Sequence, residues 1–196
     1  MKILSMLLIL STLNVYADDK IHTGMDPEMM KKAKEFSTPG EPHKQLKKMV
    51  GKWNYSSKWW MSSDAKPEES KGQSTMRMIL GGRFLEQSLK GTSMGQPFEG
   101  HGMIGYDNLK KEYETAWLDN MSTGMMRASG SYDEATKTLT EKGEFTCPMA
   151  PDNKASYRGE TKWIDDNSFT YSMFGKGMAQ KGEEFKMMEL TYKRKK

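Results

Sequence analysis

The chain predicts an all-β fold: an antiparallel up-and-down barrel of about ten strands with short N-terminal helices. Three observations carry that expectation. From Trp53 onward the apolar residues change from helical spacing to a period of two, the mark of strands with one buried face. Turn chemistry cuts nearly all of these segments apart, at Gly81-Gly82, Asp107-Asn108, Asp133 to Thr136 and Asp165-Asp166-Asn167. Ahead of the first strand stands Gly51-Lys52-Trp53, where a glycine lets the chain turn out of a helix and an indole covers the closed end of a barrel. An open sandwich is the alternative, and closure is preferred because it removes the exposed edges.

Taken in order, residues 1–17 read as a signal peptide. Lys2 is the charged start, Ile3 to Leu13 the apolar stretch, and Val15-Tyr16-Ala17 the small-residue cleavage site, with cleavage after Ala17. The apolar stretch is too short for a membrane span, which needs about 20 residues. No cysteine follows it to carry a lipid. The mature protein is expected to be soluble, not membrane-spanning, and periplasmic or secreted. Residues 18–42 form an N-terminal extension with a short helix, capped by Asp26 with Pro27 at its first position and running to about Phe36. Met29, Met30, Ala33 and Phe36 recur at helical spacing, so one face is expected to pack on the domain. Ser37-Thr38-Pro39-Gly40 breaks it.

The barrel domain, residues 43–196, opens with a helical turn from His43 to Val50 that puts His43, Leu46 and Val50 on one side. In the strands, Trp53, Tyr55, Trp59 and Met61 share a face, and Gly72, Ser74, Met76, Met78 and Leu80 share the next. Further strands run over 83–94, 98–106, 112–119, 124–132, 138–146, 155–164, 169–174 and 184–194. A barrel of this strand number encloses a cavity, which points to a small ligand.

The composition excludes several classes. One cysteine, Cys147, makes no internal disulfide, so an exported fold of this size must rest on packing and pairing. A formal net charge of +4 is modest, and no basic surface interleaved with aromatics suggests nucleic acid. Asn54-Tyr55-Ser56 and Asn120-Met121-Ser122 match the glycosylation sequon without further support.

His43-x-x-Leu46, Gly51-x-Trp53, Leu80-Gly81-Gly82-Arg83-Phe84-Leu85, Pro97-Phe98-Glu99-Gly100, Gly105-Tyr106-Asp107-Asn108, Trp117-x-Asp119, Thr123-Gly124 and Met188-Glu189-x-x-Tyr192 together resemble a family. It is the bacterial domain-of-unknown-function family numbered 1579, and the likeness runs from about residue 40 to the C-terminus. It carries no established activity. The resemblance implies a calycin-like barrel, similar in outline to lipocalins and fatty-acid-binding proteins. It also implies a basic side chain over the Gly-x-Trp indole, which Arg194 would supply.

Glu99 and His101 alternate with Phe98, Ile104 and Tyr106 on their strand. A carboxylate two residues from an imidazole lies about 7 Å away, near enough to tune it. If that face lines the cavity, His101 is a general base or ligand anchor; if the apolar face is inside, both residues meet water, and that arrangement is preferred. Trp117 carries Asp119 with it toward the barrel mouth, where Arg127 or Arg158 would neutralise the carboxylate, or the turn from Met121 to Thr123 would bond it. Glu189 poses the same question. The candidate ligand-binding residues are therefore Glu99, His101, Trp117, Asp119 and Arg127, with Gly51, Trp53 and Arg194 closing the barrel. No catalytic or metal-binding residue is assigned. Nineteen methionines raise copper, but Met76, Met78, Met125, Met126, Met187 and Met188 fall in strands as core filling. Haem would need His43, His101 or a methionine, and scattered histidines make no motif. No cofactor is expected. The preferred reading is an exported, non-enzymatic barrel binding a small, largely apolar ligand. The alternatives are an acid/base enzyme using Glu99, His101 and Asp119, and a structural or interaction protein with a filled core.

Overall fold

A computed structural model describes residues 26–178 and 180–196; the expected signal peptide lies outside them. The chain divides into two units between Lys34 and Glu35. The described part of the first holds most of α1 (Pro27–Ser37), where the Asp26 carboxylate accepts the Glu28 amide at 3.1 Å as the sequence suggests. No residue of α1 is buried: Met29, Met30 and Phe36 are all exposed.

The second unit is a closed barrel of β1 (Gly51–Trp59), β2 (Glu68–Ile79), β3 (Phe84–Ser93), β4 (Gln96–Asp107), β5 (Glu112–Asp119), β6 (Met126–Asp133), β7 (Thr138–Thr146), β8 (Lys154–Asp165), β9 (Ser168–Gly175) and β10 (Phe185–Arg194). Each strand pairs antiparallel with its sequence neighbours, and β1 closes on β10 with Trp53 opposite Arg194. The short turns that the Asp-rich segments predict are built as expected. Asp107, Asp133 and Asp165 each accept backbone amides of the residues that follow, at 2.7 to 3.0 Å.

One end is plugged. Helix α2 (Glu41–Lys47) starts earlier and stops sooner than its apolar spacing suggests. The chain turns after Lys48, so Met49 rather than Val50 joins His43 and Leu46 in the interior, and Val50 is exposed. The Trp53 indole donates to the Met49 carbonyl at 2.8 Å and meets Phe169 edge-on, while Phe169 stacks on Tyr192. Arg194 lies over the Trp53 ring at 4.1 Å and donates to the carbonyls of Lys48, Val50 and Asp166. That contact is worth about 0.5 to 2 kcal/mol beyond its hydrogen bonds. Gly51 is required here: its φ is +140°, and a Cβ would sit 2.5 Å from the Arg194 guanidinium.

Alternation sets what faces inward. On β1 and β2 the inner face is Trp53, Tyr55, Met76 and Ser74, all buried. Met61 and Leu80 fall past the strand ends and are exposed, which corrects the two faces assigned to them. On β10 a bulge between Lys186 and Met188 shifts the alternation. Leu190 and Tyr192 are buried, whereas Glu189 pairs with Lys186 at 2.5 Å, which answers the question raised for that carboxylate. The core is continuous from Leu46 and Trp53 through Leu85, Leu89, Leu139 and Leu190, with a second cluster of Ala128, Tyr157, Met173 and Met187 toward the other end. Burying each of these larger side chains contributes about 1.5 to 3 kcal/mol.

Candidate ligand-binding interior

The register decides first where the expected site residues lie. Gly100 pairs with Asp119 and Gly102 with Trp117, so these belong to one face. The Trp117 ring lies against both glycines; a Cβ on Gly100 would come within 2.2 Å of it. Phe98, Ile104 and Tyr106 share that inner face and pack on the core. Glu99 and His101 therefore project outward and are exposed, so they are corrected as lining residues. Glu99 accepts from Lys90 at 2.9 Å, which holds its carboxyl below the usual range. Arg127 is exposed and stands opposite Glu144 on the outer face. Asp119 accepts from the Trp117 indole at 2.8 Å and from the Met121 amide at 2.9 Å. It is the turn bond, not an arginine, that satisfies it, while Arg158 pairs with Glu160 and Glu184. The acid/base set of Glu99, His101 and Asp119 is not brought together.

A different group of polar side chains converges inside. Glu141 takes an inward position on β7 between Leu139 and Gly143, and is only 5% exposed. The Thr115 hydroxyl, from β5, donates to its Oε2 at 2.9 Å. Among the described residues no lysine, arginine or histidine forms an ion pair with it, and Thr115 is its only hydrogen-bond partner. Burial pushes this carboxyl up from its usual value of 4.5, and the Thr115 bond opposes that only in part. Gly159 on β8 makes the room: a Cβ there would lie 2.9 Å from both Glu141 Cγ and Oε1, and 3.0 Å from the Tyr171 hydroxyl.

Tyr157 and Tyr171 complete the group. The Tyr157 ring lies flat over Gly143, whose Cβ would come within 2.6 Å of it. Burial, with the Glu141 charge as a lesser cause, raises both phenols above the ordinary range. Among the described residues neither hydroxyl has a hydrogen-bond partner, although buried tyrosine hydroxyls usually find one. Tyr171 is only half-buried despite strands on both sides of it, and so is Met188 on the neighbouring strand. Further polar groups are satisfied internally: Gln87 donates to Ser74 at 3.1 Å and to Tyr192 at 3.2 Å. Sequence reasoning missed Glu141, Tyr157 and Tyr171. The signal was available, since Glu141 is a charged residue at an alternating position flanked by Leu139 and Phe145.

A hollow of about 1120 Å³ is bordered by outward side chains, among them Arg127, Arg158, Phe174 and Glu184, and is also lined by Thr115 and Tyr157 of the inner face. It is open, and Arg158 is already paired there with Glu184 and stacked on Phe174. The uncompensated chemistry is on the inner face. A smaller crevice of about 230 Å³ lies beside α2, between Glu41, Tyr106, Tyr113 and Glu134. Burial there lifts the Tyr113 phenol to about 12, and its hydroxyl donates to the Pro42 carbonyl. No group of three or more His, Cys, Asp or Glu side chains suited to a metal occurs among the described residues. Cys147 is buried, with its thiol 3.8 Å from the Met178 sulfur. No helix among the described residues is long and apolar enough to cross a membrane.

The profile of a family described as protein of unknown function (DUF1579) matches residues 38–194. Among curated proteins nothing matches. The crystal structure of Rv2717c from M. tuberculosis is similar in fold, with a TM-score of 0.59 at 14% identity over 81% of this chain and 100% of that one. A de novo designed fluorescence-activating β-barrel aligns at a TM-score of 0.43 and 15% identity, over 76% of this chain and 96% of that one.

Proposed function

The chain belongs to the DUF1579 family of proteins of unknown function, and from that premise we propose that its barrel binds a small, largely apolar molecule in its interior without chemically transforming it. The observation that carries the reading is the set of inward polar atoms without protein partners, the hydroxyls of Tyr157 and Tyr171 beside Glu141, in a wall otherwise built of aromatic and methionine side chains. Inward hydroxyls with no protein partner are free to bond a bound molecule, and a few such groups in an apolar lining are what orient it. The plugged end and the loop end differ in a way that supports entry at the latter. Exposed methionines Met61, Met94, Met121, Met125 and Met149 stand on the loops opposite α2, and methionine makes an adaptable apolar rim.

The test is titration of the protein lacking residues 1–17 with the uncharged apolar dye Nile red. Saturable, one-to-one uptake with a blue-shifted emission supports interior binding, and folded protein that takes up no dye refutes it. Export belongs to the same proposal. It rests on Lys2, the Ile3 to Leu13 stretch and Ala17, and amino-terminal sequencing of protein recovered outside the cytoplasm should begin at Asp18.

A further inference from the structure

We propose that Glu141 is the anchor for a positively charged amine carried by the apolar ligand. The inference rests on the interior-binding reading and adds the ligand's chemical class. Outside the wall this chain pairs its acidic side chains readily: Arg77 with Glu86, Lys90 with Glu99, Arg158 with Glu184. Inside, Glu141 has a single neutral hydroxyl from Thr115, and no cation of the described residues reaches it. A carboxylate taken out of water without a counter-charge is costly, and the cost is relieved by a cation bound beside it.

The surroundings suit an ammonium group. Tyr157 on the adjacent β8 and Tyr171 on β9, the strand beyond it, present aromatic rings with unpaired hydroxyls, and ring faces attract cations. The hydroxyls and the Thr115 oxygen are acceptors for N–H donors, which an ammonium supplies in three directions. Gly159 keeps the space beside Oε1 free of a side chain. Met173, Met187 and Met188 line the wall near the two tyrosines and would take the apolar body of such a ligand. An anionic ligand would be repelled by the same carboxylate. A neutral alcohol would satisfy hydrogen bonds but leave the charge uncompensated.

The groups facing Glu141 also define its pH behaviour. They are Thr115 from β5, Tyr157 from β8 and Tyr171 from β9, while β6 presents only Ala128 and Gly130. Burial raises the Glu141 carboxyl above its usual value and holds both phenols above their ordinary range, so Glu141 is the first of this group to lose its proton as pH rises.

The experiment is displacement of Nile red by octylamine, octanol and octanoate from the full mature chain and from Glu141→Gln. The expected ranking in the wild type is octylamine about tenfold or more tighter than octanol, with octanoate weakest. Octylamine affinity should rise with pH as Glu141 ionises, since the amine stays charged throughout. In Glu141→Gln, with displacement referred to the variant's own dye affinity, the amine should fall to within about threefold of the alcohol and lose its pH dependence, while cooperative melting is kept. Equal affinity for amine and alcohol in the wild type, or an unchanged amine preference in the variant, overturns the anchor and leaves interior binding standing. Absence of dye uptake by folded wild-type protein overturns both. Should the glutamine variant fail to fold, Gly159→Ala places a methyl group against Oε1 instead; it must weaken octylamine more than octanol, and equal weakening counts against the anchor.

Discussion

Glu141 illustrates how a single residue trades stability for chemistry. Burial raises its carboxyl pKa above the usual 4.5, so the folded protein holds this proton more tightly than the unfolded chain does. The contribution is present in full below the unfolded value and is lost as pH rises through the folded one. Glu141→Gln keeps the shape and the Thr115 contact while removing the ionisation. We expect wild type and variant to have similar stability near pH 4, and the variant to be the more stable of the two near pH 8. Urea denaturation at the two pH values measures it; a variant that is less stable at the higher pH would contradict the account. Retention of a destabilising carboxylate is what selection for binding rather than stability would leave. At the same scale, Arg194 was foreseen from the family resemblance alone. What the sequence could not convey is that its guanidinium also holds carbonyls of Lys48, Val50 and Asp166, tying the end of α2 and the β8–β9 turn to the last strand.

Strands were legible because alternation repeats over several residues, and turns because Asp and Gly have few other uses at such positions. Which face of a strand is inside was less legible. On β4 both faces carry large side chains, and the decision rests with Gly100 and Gly102, whose missing side chains admit the Trp117 ring from the neighbouring strand. That is information about a partner strand, and no local pattern contains it. The β10 bulge is a second such case, since one extra residue reverses the assignment of everything beyond it. The segment from Pro97 to Asn120 also explains several motif residues as structural. Asn120 accepts the Glu99 amide and donates to the Pro97 carbonyl, and Asn108 donates to the carbonyls of Glu35, Phe36 and Thr38. The matching prediction concerns the ring and its seat. Gly100→Ala should displace Trp117, break its bond to Asp119, and cost about 1 to 3 kcal/mol, with a shifted tryptophan emission. Equilibrium unfolding monitored by that emission checks it, and an unperturbed variant would mean the two strands are not so closely apposed.

For the whole molecule, closure into ten strands follows from even spacing and the need to remove edges, and the Gly-x-Trp plug fixes which end is shut. The candidate site follows from neither. Glu141, Thr115, Tyr157 and Tyr171 come from four strands, and only a closed wall brings them to one place. The charged pairs that stand out in the sequence, Glu99 with His101 and the arginines, decorate the outside. The methionine-rich composition offers the most direct test of the central claim that ligand binds inside. With methyl-labelled methionine, Met173, Met187 and Met188 report on the inner wall beside the tyrosines, and the exposed Met103 on the outer face. On titration with octylamine the methyl resonances of Met173, Met187 and Met188 should shift together and saturate while that of Met103 stays in place. Saturable shifts of Met103 with the inner methionines unmoved would contradict interior binding.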